Sequence, residues 1–343
     1  MDLYNGKYEV FDRKKLRTYP LEQRSNKASV NAFINLEACR EKTYDVKNQK
    51  GLQSVANKII DAYNKNQPVF WMMGAHPIRN GLSPIIIDWL KRGVITVLSL
   101  NTAASIHDFE FALIGETSED VPNGLSSGDF GFAYETGKYI NDALRWGAEN
   151  NLGYGESMGA LITGEKIYHR GLKEGYSVHF PNAGKSIVYT AYKEHIPVTV
   201  HATIGTDIID QHLNFSASAK GKTSGFDFDI FTHEATKLEN GGIYINAGTA
   251  ITGPEVLLKA VSMVSNAGYK IRNLNTADFD IRSVPAKFPD NSEEHYYYRD
   301  FKSVVTRIPQ AYEGEGIYIQ GNHLQTIPAL YKMVEDKLSE NST

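Results

Sequence analysis

The sequence predicts an α/β fold: a mostly parallel sheet covered by helices on both faces, three layers in all. Three observations carry this. Short apolar, β-forming runs alternate with longer segments of helical spacing. The residues that close those runs are mainly Gly, Ala, Ser, Thr and Asn. At 343 residues, 41% apolar and 22% charged, the chain is long enough and apolar enough for one large core.

Residues 1–50 are rich in Lys, Arg, Asn and Asp and read as an N-terminal extension or arm. Residues 51–343 read as a single domain, without repeats, low-complexity segments or Pro/Ser-rich linkers. GLQSVANKIIDAYNKN (51–66) carries apolar residues at helical spacing and leads into a strand, PVFWMM (68–73). A turn at Gly74, a helix around 83–92, a strand at 94–100 and a helix opening near Ser105 follow. The middle, 130–175, reads as helical. HIPVTVHA (195–202) is a strand, TDIIDQHL a helical turn, and FDFDIFTHEATKLEN (226–240) a helix. GGIYINAG (241–248) is a strand, and 254–268 a helix with Pro at its start and Gly at its end. KIRNLNTA (270–277) and SVVTRI (303–308) read as further strands, and TIPALYKMVEDKLSEN closes the chain as a helix.

The bulk properties exclude several classes. A net charge of −4 with no basic run gives no electrostatic footprint for nucleic acid. The longest apolar stretches fall far short of the roughly 20 residues of a membrane span. The polar N-terminus lacks the apolar centre of a signal peptide, and one cysteine, Cys39, rules out an internal disulfide framework. A cytosolic setting is expected.

In an open α/β sheet, ligands gather outside the carboxyl ends of the strands. The segments that fall there are 74–81, 101–108, 201–210, 246–255, 275–280 and 320–323. Their small residues let a ligand approach backbone N–H groups, and helix starts favour a phosphate or pyrophosphate. Neither GxGxxG nor GxxxxGK[ST] is present. His76, His107, His201, His212 and His323, with Asp108, Asp207 and Asp210, lie in or beside these segments. A metal-dependent hydrolase or lyase using His76, His107, His201 and Asp207 is one reading, although no compact pair such as HExxH occurs. A non-catalytic nucleotide-binding protein is another. GESMG (155–159) only approaches the GxSxG elbow, and Ser157 is expected in a helix start.

Across roughly 55–335, the order of these segments resembles deoxyhypusine synthase, and more closely the bacterial deoxyhypusine-synthase-like proteins. PVFWMMGAHPIRNGLSPIIIDWLKRGVITVLSLNTAASIHDFEFAL (68–113) is similar to the family's first cofactor region. HIPVTVHATIGTDIID (195–210), GGIYINAG and NTADFDI match its later strand ends. The resemblance implies a Rossmann-like parallel sheet, bound NAD and a homo-oligomer, dimer or tetramer. It implies action on a polyamine or related small amine, with aminobutyl transfer through a lysine imine to a possible protein lysine acceptor. By position, NAD would touch Ala75, His76, Thr102, Ala103, Ala104, His107, Asp108, Gly248, Asp278 and Asn322. Asp210 would anchor a substrate ammonium, and Lys302, with Arg299 beside it, would be the nucleophile. His107 and Asp108 stand where the family carries two acids. The tryptophan and glycine that flank the family's lysine are missing from RDFK (299–302), and Thr252 stands near the place of a family histidine. No metal is implied.

Overall fold

The computed structural model describes residues 4–284 and 298–340. Its centre is a six-stranded, wholly parallel sheet: β2 (Val69–Met73), β3 (Val97–Asn101), β5 (Val198–His201), β6 (Gly242–Ala247), β7 (Leu274–Asp280) and β8 (Gly316–Gln320). A separate two-stranded ribbon pairs β1 (Asn26–Ser29) with β4 (Glu116–Glu119), Ala28 opposite Thr117. The spatial order of the main sheet is β5-β3-β2-β6-β7-β8. Counted by their occurrence in the chain, these six strands lie in the order 3-2-1-4-5-6, the Rossmann arrangement.

Strand periodicity divides the core. Trp71, Met73, Leu98, Leu100, Ile245 and Phe279 point to one face, where α2 (Gln49–Asn64), α4 (Ser83–Lys91), α9 (Ile187–Lys193) and the closing helix cover them. Trp71 meets Trp89 edge-on at 5.4 Å between ring centroids, and Trp89 in turn meets Tyr331. Phe70, Met72, Val97, Tyr244 and Leu274 point to the other face, beneath α10 (Ala217–Ala235) and α11 (Thr252–Asn266). Both faces of every central strand are therefore buried, which explains why VFWMM reads as a continuous apolar run.

Five further helices shape the carboxyl edge: α3 (Ala75–Arg79), α5 (Thr102–Ile114), α6 (Val121–Ser127), α7 (Tyr134–Glu149) and α8 (Tyr154–Ile162). Helix α5 begins at once after β3 because Asn101 caps it, its Oδ1 accepting the Ala104 N–H at 2.9 Å. It ends at Gly115, whose φ of 73° supplies the left-handed cap.

Residues 19–48 lie along the body. Leu21, Cys39, Tyr44 and Val46 are buried, and α1 (Leu36–Glu41) packs on the closing helix, where Arg40 pairs with Glu335 at 2.9 Å. Two expectations about strands change. The stretch 303–308 is not a strand: Phe301–Arg307 forms wide π-helical turns that run into the short α12 (Ile308–Ala311), and the sixth strand is Gly316–Gln320. Val304 and Ile308 enter the core beneath β7, and the Thr276 hydroxyl donates to the Val304 carbonyl, so packing overrides the β-forming composition. The closing helix, α13, runs His323–Glu340, three residues earlier than its periodicity suggests. No helix among the described residues is long and apolar enough to cross a membrane.

Candidate functional site

The order of strands reverses between β2 and β6, and the loops leaving those two strands diverge there. Gly74 continues the ladder by donating its N–H to the Ala247 carbonyl at 3.0 Å. A Cβ on Gly74 would lie 2.2 Å from the Gly248 carbonyl oxygen, so the two turns touch only because residue 74 has no side chain. Gly248 itself has φ +69°, and a Cβ there would lie 2.7 Å from His323 Cε1.

A cavity of about 440 Å³ opens on the β6–β8 side of this point. Its wall includes His76 in α3 and Asn80 at its end, Gly248 and Ala250 after β6, Asp280–Arg282 at the end of β7, and Gly321–His323 at the start of α13. His323 Nε2 hydrogen-bonds the Phe279 carbonyl at 3.0 Å, and burial holds its pKa below the usual value, against the pull of that carbonyl. The ring is therefore neutral near pH 7, with its proton on Nε2 and an acceptor at Nδ1. Arg282 bridges Asp280, at 2.8 Å, and Asp300.

A second cavity, of about 220 Å³, lies on the β3–β5 side, across α3. Ala103, His107, Arg79 and Thr206–Ile208 line it, with Glu110, Glu119 and Arg24. His107 Nδ1 is 2.7 Å from Thr117 Oγ1, which is 2.5 Å from Glu110 Oε2. Glu110 also accepts from Arg24 at 2.6 Å and from the Thr136 hydroxyl at 2.7 Å. Burial raises the Glu110 pKa, but Arg24 and these donors outweigh it, so the group sits below the usual carboxylate range and is ionised. Burial lowers the His107 pKa, with Arg79 and Arg24 acting in the same direction and Glu110 against them.

Behind this cavity lies a buried lysine. Lys220, with 0% of its surface exposed, places Nζ 2.9 Å from the Thr203 carbonyl, 2.7 Å from Asp207 and 2.6 Å from Asp210. Asp210 further accepts the Gly205 N–H at 2.7 Å. The carboxylate expected to hold a substrate ammonium thus already holds one supplied by the protein.

Several other expected contacts are redirected. The Asp108 side chain, fully buried, accepts from the Ser186 hydroxyl, from Ile187 N–H at 2.8 Å and from Val188 N–H at 3.2 Å. It caps α9 and faces away from both cavities. Ala104 is buried with its N–H taken by Asn101. Asp278 is buried beneath the edge and accepts from Asn246 at 2.8 Å. Lys302 lies on the wide-turned helix over β7 and β8, outside the lining of either cavity. Asp210 follows β5, four strand spacings from β7 and hence roughly 19 Å away, so one chain does not bring the two together. Arg299 pairs with Glu255 at 2.5 Å, and Thr252 opens α11. By contrast, His76, Gly248 and Asn322 meet at the larger cavity and Ala103 and His107 at the smaller. Ala75 opens α3 between the two, and Thr102 is buried at the start of α5.

The hydrolase set does not converge. His201 hydrogen-bonds Thr199 at 3.1 Å and meets the Phe231 ring edge-on, with burial lowering its pKa to about 3. Asp207 is bound to Lys220. Among the described residues no group of three or more His, Cys, Asp or Glu is placed to hold a metal ion. Ser157 is buried within α8, its hydroxyl donating to the Gly153 carbonyl at 2.6 Å.

Arg24, Arg79, Glu110, Thr117 and Lys220 were not singled out by sequence. Glu110 had a signal, since it follows His107 by three residues on one helix. Lys220 had none beyond standing ten residues after Asp210.

No family model matches the chain, and neither does any curated protein. Solved structures with a similar chain path include ArgZ, an arginine dihydrolase from cyanobacteria (13% identity, 86% of this chain and 33% of that one, TM-score 0.47). Another is a candidate LOR/SDH protein of Methanococcus maripaludis (15%, 98% and 76%, 0.46). A candidate deoxyhypusine synthase of Entamoeba histolytica is a third (8%, 94% and 97%, 0.42). The chain spans about a third of the length of ArgZ, and these similarities are of fold alone.

Proposed function

We propose that this chain is a nicotinamide-dinucleotide-dependent enzyme that oxidises a small amine or alcohol. The observation that supports it most is the 3-2-1-4-5-6 strand order, with a cavity at the carboxyl edge beside the point of reversal. The residues present suit such a cofactor. Gly248 and Gly321 bring bare backbone to the cavity wall, where added Cβ atoms would meet His323 at 2.7 Å and Thr326 at 2.8 Å. The eighteen-residue helix α13 presents its N-terminus there, which favours a phosphate. His323 offers a neutral acceptor. When bound, the cofactor would supply a two-electron oxidant.

The protein's own part is to hold and to exclude. Arg282, paired with Asp280 and Asp300, is held at the cavity wall beside Tyr318, whose hydroxyl donates to the Arg282 carbonyl at 2.6 Å. Aminobutyl transfer through Lys302 finds no support in this geometry, because Lys302 and Asp210 stand apart and Asp210 is occupied.

Calorimetric titration with NAD⁺ and NADP⁺ tests the reading. Ala250 is exposed on the cavity wall, so Ala250→Trp should weaken binding by about tenfold or more while the melting temperature stays within about 2 °C. Failure of both dinucleotides to bind the unaltered protein would refute the proposal.

A further inference from the structure

We propose that the smaller cavity is a binding site for a carboxylate bearing an amino or hydroxyl group on the adjacent carbon. Arg79 is its anion partner, and His107 Nε2 is the base that takes the proton from that group. This deepens the dinucleotide reading and rests on it only for the oxidation that would follow.

The hydrogen-bond chain fixes the tautomer. Glu110 is ionised and can only accept, so the Thr117 hydroxyl must spend its single proton on Glu110. Thr117 Oγ1 is then an acceptor toward the ring, and the proton of neutral His107 sits on Nδ1. Nε2 is left with its lone pair, and among the described residues no hydrogen bond reaches it. Proton transfer breaks the substrate N–H or O–H bond and forms Nε2–H. The imidazolium is stabilised by Glu110 through Thr117, and no electrons change hands.

Charge accounting selects the substrate. The carboxylates in the wall are already engaged: Glu110 by Arg24, Asp207 by Lys220, and Glu119 by the Gly131 N–H at 3.1 Å from each oxygen. A polycation finds no open anion among the described residues that line this cavity. Arg79 is exposed, makes no ion pair among them, and lies near enough to depress His107. The thirteen-residue helix α5 starts at the same wall, with Ala103 lining it, and adds positive potential. Ile106, Phe130 and Ile208 supply apolar contacts for a short side chain.

The test uses histidine-¹⁵N-labelled full-length protein, with the His107 signals identified by their loss in His107→Gln. Lactate, glycolate, alanine and 2-aminobutyrate are titrated, with acetate as the control lacking the transferable proton. The expected result is that a hydroxy or an amino acid, whichever arm responds, binds at about 1 mM or tighter and shifts His107. Arg79→Gln should weaken it by about tenfold or more. The proton should sit on Nδ1 in the unaltered protein and in Thr117→Ser, and leave it in Thr117→Val. Overturning results are no binding by any of the four, equal binding to Arg79→Gln, acetate binding as well as the others, or the proton on Nε2. NAD⁺ affinity is measured in parallel. Its absence beside retained acid binding would sink the dinucleotide reading alone, and its presence without acid binding would sink only this one.

Discussion

Lys220→Met replaces a buried ammonium by an apolar chain of similar length and should destabilise the protein strongly. The side chains of Lys220, Asp207 and Asp210 are 0%, 12% and 5% exposed, and the ammonium meets three acceptors between 2.6 and 2.9 Å. Removing one member of a buried ion pair costs about 3–5 kcal/mol, because its partner stays uncompensated. Here two carboxylates are left facing each other, which places the loss toward the upper part of that range. Unfolding entropy near 2.1 cal/mol/K per residue gives roughly 0.7 kcal/mol/K for 343 residues, so about 4 kcal/mol lowers the melting temperature by about 6 °C. The pH dependence has a definite sign. Burial already holds the Asp207 pKa above its ordinary value, with Lys220 opposing that rise. Without Lys220 the rise is larger. An acid with a raised folded-state pKa gains stability as pH falls. The deficit, read by circular dichroism melts, should therefore be smaller at pH 5.5 than at pH 8. A loss under about 1 °C, or a deficit that grows on acidification, would refute the idea that Lys220 holds the 203–210 loop.

Two further substitutions test the buried titrating groups. The Asp108 pKa is raised to about 6, chiefly by burial, against the donors of α9. The unaltered protein thus loses stability as pH rises from about 4 to 6, and Asp108→Asn should gain on it by up to about 3 kcal/mol over that rise. NAD⁺ affinity should not change, and a flat stability difference in urea titrations would show that Asp108 does not titrate as described. His201, buried and lowered to about 3, is neutral when folded, so the unfolded chain takes up its proton first on acidification. Native stability should fall by about 2 kcal/mol from pH 7 to 5 relative to His201→Gln. Equal slopes for the two proteins would contradict this.

What the sequence reveals about the fold depends on whether a segment's period survives its packing. PVFWMM and GGIYINAG are strands in the core of a sheet covered on both sides, so local composition and tertiary setting agree. SVVTRI has the same β-branched composition but lies as helix beneath β7, with Val304 and Ile308 as its inward residues. GIYIQ, which does form the sixth strand, was not read as one, although the segment that follows it, 320–323, was placed at the sheet's carboxyl edge. The ribbon Asn26–Ser29 with Glu116–Glu119 was equally hidden, because its pairing joins segments about ninety residues apart by register, not by a turn.

That hidden ribbon decides the chemistry of the smaller cavity. Position along the chain brings Ala103 and His107 to the sheet edge, since strand ends are legible from the alternation of strand and helix. It says nothing about which atom of His107 is free. That depends on Thr117 in β4, which is held against β1 and therefore on a segment whose sequence reads only as a polar arm. It depends equally on Arg24, from the same arm, which keeps Glu110 ionised. Were Arg24 absent, burial would push Glu110 toward protonation. A protonated Glu110 could donate to Thr117, Thr117 could then donate to Nδ1, and the free nitrogen of the ring would carry the proton instead of accepting it. The N-terminal segment is thus part of the site by electrostatics, and the direction of proton transfer at His107 follows from a single buried arginine eighty-three residues before it.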